Sequence, residues 1–260
     1  MHLWLAQPRL AFSRPEANHD ALLQLFEAQP APRPEDILVL PEHFELSRSA
    51  DDYARGLQRL ALRVGCHIVG GTQHRQHAER ATNCGAAFDP RGNQLFQYEK
   101  LRPYADERLW IDPGVRLGEG QISGLHCLVL VCADFWFSDL FQRCTRLPTL
   151  VLVPALSVSR KPTPGYSRGL WRHLAIARAY EFGCYVGVSD WAVESELPRL
   201  AASGVAGFAD PTQVEPLRLF TPAPGDGGAS LLRVALDLPR LQAFQADRDA
   251  RGFFWRDPSA

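Results

Sequence analysis

Residues 125–139 read LHCLVLVCADFWFSD. The apolar run from Leu125 to Val131 is the pattern of a strand buried on both faces, as parallel strands in α/β proteins are. It breaks at Cys132-Ala133-Asp134, which puts a thiol just past the C-terminal end of the strand, ahead of Phe135-Trp136-Phe137. Two other segments share the arrangement. Ile37 to Leu40 is an apolar strand followed by Pro41-Glu42, and Leu95 to Tyr98 is followed by Glu99-Lys100. Ligands and reacting groups in α/β folds gather at such strand ends. A thiol to attack, a carboxylate to take its proton and an ammonium to hold a developing oxyanion make a nucleophilic set.

Working outward, short apolar runs alternate with helical patterns. Strands are expected at His2 to Gln7, His67 to Gly70, Leu150 to Val153, Cys184 to Val188, Val205 to Phe208 and Leu231 to Leu236. Ala81 to Phe88 and Leu95 to Tyr98 flank the turn residues Asp89-Pro90-Arg91-Gly92-Asn93 and read as a hairpin. Helices are expected from an Asn18 N-cap to about Glu27, over Asp51 to Val64, over Ser138 to Leu147 and over Arg168 to Phe182. Leu101 to Gly120 reads as one long irregular stretch, the kind that is often functional. Ser138 opening a helix just beyond Cys132 would favour the thiolate there. The mixture of βα units and hairpins defines a layered α/β fold with mixed sheets, and with no repeat or linker residues 1–260 read as a single domain.

Composition narrows the function. The 260 residues carry 28 basic and 29 acidic side chains, a net charge of −1, which argues against a nucleic-acid partner. The apolar run that ends at Ala133 is far short of the roughly 20 residues of a membrane span, and MHLWLAQPRL, without a basic start and a long apolar stretch, is not expected to be a signal peptide. A cytoplasmic protein with six free thiols is expected. Only two basic residues are lysine, Lys100 and Lys161, so lysine at position 100 stands out in an arginine-rich chain. Cys66, Cys84, Cys127, Cys144 and Cys184 read as small buried hydrophobes. Among Phe135, Trp136 and Phe137, one ring is expected to line the site and the others to be core.

Glu42 in LVLPE, Lys100 in YEK and Cys132 in VCAD resemble the Glu-Lys-Cys triad of the nitrilase superfamily, the carbon-nitrogen hydrolases. The order matches, with 58 residues from Glu42 to Lys100 and 32 from Lys100 to Cys132. LWLAQP near the start, WRHLAIARAYEFGCYVGVSD (Trp171 to Asp190) and SGVAGFADP (Ser203 to Pro211) are similar to further family segments. The resemblance implies a four-layer α-β-β-α sandwich with two mixed β-sheets, no metal and no organic cofactor. It implies a homodimer or larger homo-oligomer, for which the apolar residues of the Arg168 to Phe182 helix are the expected contact. Cys132 would be the nucleophile and Glu42 the general base. Lys100 and the backbone N–H of Ala133 would hold the oxyanion. Glu107 would be a further acidic residue, with Asp106 as the alternative. Ala133-Asp134 follows the cysteine where true nitrilases usually have Trp-Glu, which places the chain with the amidase-like branches. Those often carry Arg where this chain has Trp136, and Asn where it has Phe182.

The expected reaction is hydrolysis of a small-molecule carboxamide to carboxylate and ammonia through a cysteine thioester. The alternatives are a soluble acyl transferase on the same triad and a catalytically silent binding protein of the same fold. Tyr104 and Trp191 are candidates to shape the pocket, along with Trp136, and Arg102, Arg160 and Arg168 to meet a substrate carboxylate. Gly165 to Gly169 spells G-x-S-x-G, but no strand precedes Ser167 and no histidine follows His173, so it reads as a loop entering a helix. His74 and His77, with Cys66, lack a metal-binding spacing and read as surface histidines.

Overall fold

The computed structural model describes residues 1–11, 15–46, 49–77, 79–159, 163–197 and 200–253. Arg160 and Lys161 lie outside them. In chain order the strands are β1 (His2–Gln7), β2 (Ile37–Val39), β3 (His67–Val69), β4 (Gln73–His77), β5 (Arg80–Phe88), β6 (Gln94–Glu99), β7 (Ile111–Asp112), β8 (Gly118–Ile122) and β9 (Leu125–Val129). They continue with β10 (Leu150–Pro154), β11 (Val158–Ser159), β12 (Tyr185–Ser189), β13 (Ala201–Ala202), β14 (Gly207–Ala209), β15 (Phe220–Pro222) and β16 (Ser230–Ala235). The helices are α1 (Pro15–Phe26), α2 (Ala50–Val64), α3 (Asp139–Gln142), α4 (Pro164–Phe182) and α5 (Leu238–Ala250).

One sheet runs β16-β1-β2-β3-β5-β4, with β6 and β7 also paired to β5. The other runs β15-β14-β12-β10-β9-β8. Each has three parallel strands at its centre, β1-β2-β3 and β9-β10-β12, with antiparallel strands outside. Alternation along β1 and β2 explains the layering. Leu3, Leu5, Ile37 and Val39 point between the sheets and share a core with Val129, Val151 and Val186. Trp4, Ala6, Leu38 and Leu40 point the other way and pack under Leu22 of α1 and Leu57, Leu60 and Ala61 of α2. The second sheet's outer face carries Trp171, Ala175 and Phe182 of α4 and Leu241 of α5. This is the expected four-layer α-β-β-α sandwich.

Several local expectations need correction. Asn18 does not cap α1. It lies inside the helix, where its buried amide bonds Ala11 N–H and C=O and the Phe44 carbonyl. The helix expected over 138–147 shrinks to α3, because the Glu119 carboxylate draws in the backbone N–H and hydroxyl of Thr145 at 2.8 and 2.6 Å. The Ser138 side chain makes no cap. The stretch expected to be irregular contains β7, β8 and a 3₁₀ turn at Ala105–Leu109. Within β8, Gly120 lies flat against the Phe96 ring where a Cβ would collide, so packing selects a residue that strand propensity disfavours. Polar β4 and the Asp237-capped α5 were also not anticipated. Gly165 to Gly169 lies in the first turns of α4, not in a loop.

Candidate active site

The sandwich carries the ends of β2, β6 and β9 to one place. Glu42 and Cys132 each lie three residues past their strand, and Lys100 directly follows β6. Glu42 bridges the two sheets, its N–H donating to the Ala155 carbonyl beyond β10 at 3.2 Å. The fully buried Trp191 donates its indole N–H to the Glu42 carbonyl at 2.6 Å. Trp191 therefore anchors the Glu42 backbone; it is not among the residues lining the pocket.

Lys100 Nζ donates to Glu42 Oε1 at 2.8 Å and to Glu107 Oε2 at 2.6 Å. Its side chain is 3% exposed. Asn83 on β5 spans the same two carboxylates from the other side, donating through Nδ2 to Glu42 Oε1 at 2.8 Å and Glu107 Oε1 at 2.9 Å. Glu42 Oε2 accepts from Leu156 N–H at 3.2 Å. The Leu156 carbonyl in turn accepts from the Cys132 thiol at 3.6 Å, so Leu156 links the Glu42 carboxylate to the thiol. Between Glu107 and Asp106 the geometry selects Glu107, whose Oε2 also takes the Tyr104 N–H at 2.9 Å while Asp106 is exposed.

Burial pushes the Cys132 thiol well above its ordinary pKa, and the Glu42 charge adds to this against the pull of Lys100. The resting sulfur is thus a protonated thiol beside a base, not the thiolate expected from a helix N-terminus. For Lys100, burial works against the charge, but Glu42, Cys132 and Glu107 together hold the ammonium firmly protonated. Three of the non-glycine residues with positive φ sit in the turns that carry this cluster: His43 at 56°, Ala105 at 50° and Cys132 at 47°. Left-handed backbone costs about 1–3 kcal/mol per residue, and such strain collects at functional sites. Gly71, at φ 62°, lets the neighbouring loop lie against the Pro41 carbonyl, where any Cβ would clash.

Two buried aspartates hold the surrounding loops. Asp134 accepts from the N–H groups of Leu101, Arg102 and Val131 at 3.0, 2.7 and 3.3 Å, tying the segment after Lys100 to the Cys132 turn. Asp190 accepts from Ser157 and Val205 N–H, each at 2.8 Å. Burial raises both to about 7 although these hydrogen bonds pull downward. His74 is not a surface group. Its ring packs on His43 at 4.6 Å and on Trp110 at 4.7 Å. Burial depresses both histidines to about 3, so they are neutral. Their ligand atoms and one from Glu107 lie within 4.8 Å of one another. Both Glu107 oxygens are already engaged by Lys100 and Asn83, which makes this a poor cage for a metal ion.

A cavity of about 360 Å³ opens on Cys132 and Ala133. Tyr104, Trp136, Phe137, Tyr166 and Trp171 supply its aromatic walls. Two of the three rings after Cys132 line it, where one was expected, and Phe135 alone is fully buried core. Arg102 and Arg168 do not reach the cavity as carboxylate partners. Arg102 pairs with Asp139 at 2.6 Å, and Arg168 with Asp226 at 3.0 Å. Asn83 and Asp190 escaped the sequence reading, as did the loop-tying role of Asp134, and Trp191, expected to shape the pocket, holds the Glu42 backbone instead. The available signal for Asn83 was an amide inside a strand of otherwise small and apolar residues, ATNCGAAF.

This sandwich, with its thiol, carboxylates and ammonium between strand ends, is the fold of the nitrilase superfamily. The sequence pattern of the carbon-nitrogen hydrolase family matches residues 5–211, and the chain belongs to that family. It is a carbon-nitrogen hydrolase. It is 26% identical over 170 residues to a protein described as the hydrolase in the agr operon of Staphylococcus lugdunensis, covering 58% of this chain and 69% of that one. Among solved structures, Nit3 of Saccharomyces cerevisiae, a member of branch 10 of the nitrilase superfamily, superposes with a TM-score of 0.77 at 20% identity. The match covers 96% of this chain and 93% of Nit3. An amidase from Nesterenkonia sp. gives 0.73 at 21% identity, over 97% and 96% of the two chains. One form of that amidase shows covalent addition of the acetamide moiety of fluoroacetamide at its active-site cysteine. Among the described residues, no helix is long and apolar enough to cross a membrane.

Proposed function

We propose that the protein is an amidase, hydrolysing a primary carboxamide to a carboxylate and ammonia through a thioester on Cys132. The observation that carries this reading is the shared environment of Glu42, which accepts from Lys100 on one oxygen and from Leu156 N–H on the other, while the Leu156 carbonyl takes the Cys132 thiol. Because the thiol is protonated at rest, Glu42 takes its proton as sulfur attacks the amide carbon. The oxyanion that forms is met by Lys100 and the Ala133 N–H. The C–N bond then breaks, the proton returns from Glu42 to the departing nitrogen, and ammonia leaves. Water, deprotonated by Glu42, attacks the thioester; the carboxylic acid departs and the thiol is restored. Glu107 and Asn83 hold Lys100 and Glu42 in register throughout. The covalent adduct at the cysteine of the Nesterenkonia amidase supports the same role for Cys132.

The same reading places the protein in the cytoplasm, with a small-molecule amide as its partner; the six unpaired cysteines support this compartment. It also proposes a homodimer through α4. Trp171 of that helix is buried in the core, which leaves Leu170, Ala177 and Tyr180 as the exposed apolar contribution. The test is ammonia release from a panel of primary amides, with intact-mass detection of the acyl-enzyme after rapid quenching. Cys132→Ala should abolish both signals and keep the circular dichroism spectrum. Ammonia release that survives in Cys132→Ala would end the proposal.

A further inference from the structure

We infer that the substrate is an uncharged amide with a bulky apolar acyl group, an arylalkyl carboxamide, selected by Trp136 and Phe137. This rests on the amidase reading above and adds the substrate class to it. Three observations carry it.

First, the cavity over Cys132 has room. An apolar void of about 150 Å³ suffices for benzene, and this one is about 360 Å³. That accommodates a ring, a short chain and the amide, at the small end of ligand pockets. Second, its walls are aromatic and wet. Trp136 and Phe137 are 41% and 44% exposed although they follow the fully buried Phe135. Trp136 stands edge-on to Trp171 with ring centres 5.7 Å apart, which leaves a face for an incoming ring. Large apolar side chains left at solvent around a concavity mark a binding surface.

Third, the described lining carries no charge. Among the described residues that line the cavity, none has a charged side chain. Three arginines near the cavity among the described residues have partners of their own. Arg102 pairs with Asp139 and lies 3.9 Å over the Phe137 ring. Arg178 pairs with Glu181 at 2.9 Å and donates to the Trp136 carbonyl at 3.3 Å. Arg168 pairs with Asp226 and donates to the Ser203 carbonyl. Beneath the cavity, two carboxylates and one ammonium sum to a formal charge of −1 in a buried cluster. A substrate carboxylate would lose its water, meet no free cation among the described lining residues and face that net negative charge.

The experiment compares 3-phenylpropanamide with 4-carbamoylbutanoate, an amide of similar length that carries a carboxylate in place of the ring. The phenyl amide should show a kcat/KM higher by at least about 100-fold, since its ring replaces several methylenes' worth of discrimination. Trp136→Ala and Phe137→Ala should each reduce the ratio of phenylpropanamide to propionamide kcat/KM by at least about tenfold. Equal or better turnover of the carboxylated amide would overturn the inference, as would an unchanged ratio in both variants. Turnover of the carboxylated amide that vanished in Arg160→Ala would identify a carboxylate reader and overturn it as well. Calorimetry on Cys132→Ala separates this inference from the amidase reading. If no amide released ammonia from the wild type, that reading would fall. Binding of the phenyl amide alone to Cys132→Ala would still support the substrate class, and its failure to bind would overturn it.

Discussion

The floor and the walls of the site obey opposite rules. On the floor, Glu42, Lys100 and Asn83 are almost fully buried, and Glu107 is 12% exposed. Both carboxylates accept on both oxygens. The described walls hold no ion, and Trp136, Phe137, Tyr104 and Tyr166 are each about half exposed. A buried charge without a partner costs several kcal/mol, so the folded state itself enforces the floor's geometry. Half-exposed rings cost the fold little when changed. The floor is therefore tied to stability and to the shared chemistry, while the walls are free to set what enters.

The sharpest way to break this contrast is at Lys100. Lys100→Met leaves two adjacent buried carboxylates without their cation and should cost about 3–5 kcal/mol in urea denaturation. Lys100→Arg keeps the charge but changes the donor's shape and reach. It should lower ammonia release at least about 100-fold, as removal of an oxyanion donor does. Near-normal turnover in Lys100→Arg or Glu42→Gln would show that the floor is structural only.

Asn83→Ala removes one donor from each carboxylate and leaves a neighbouring charge under-satisfied. It should cost about 2 kcal/mol, lowering Tm by roughly 4–8 °C in calorimetry. An unchanged Tm would mean that Lys100 alone organises the pair.

Part of the pH dependence comes from the layer behind the floor. His43 and His74 are depressed from about 6.5 to about 3, so the unfolded chain takes up protons first. Their contribution is intact above pH 6.5 and is lost as pH falls towards 3. Asp134 and Asp190, raised to about 7, act in the opposite sense: their contribution is present below about pH 4 and is lost as pH rises through 7. The two pairs partly cancel in the wild type. His74→Gln removes one side of the balance. Its unfolding free energy at pH 5, relative to pH 8, should exceed the wild-type difference by about 1–2 kcal/mol. Parallel urea curves for the two proteins at both pH values would refute the neutral-histidine assignment.

The smallest effect is expected at the outer wall. Arg102→Ala breaks a half-exposed pair with Asp139 and should shift stability by less than about 1 kcal/mol. It should not change the preference between neutral and carboxylated amides. A fall confined to the carboxylated amide would show that Arg102 reads substrate.

The strands that matter were legible because burial on both faces leaves a plain signature. The runs ending at Leu40 and Val131 announce themselves, β6, exposed at its start, was marked by its hairpin turn, and the polar residue after each falls where α/β folds put chemistry. The resemblance of LVLPE, YEK and VCAD to one family added the order of the triad. Elements whose residues are chosen by partners were not legible: β8 with Gly120 against Phe96, polar β4, and the helix truncated by the bond from Thr145 to Glu119. The sequence by itself determined the class of fold and the three groups at its strand ends, because local periodicity and residue type encode them. Only the tertiary structure decided which carboxylates share Lys100, that Asn83 joins them, that Cys132 rests as a thiol and that Arg102, Arg168 and Arg178 pair with carboxylates of their own. Most of these rest on contacts between residues tens to more than a hundred positions apart, and on desolvation, which exists only once the two sheets have closed over the site.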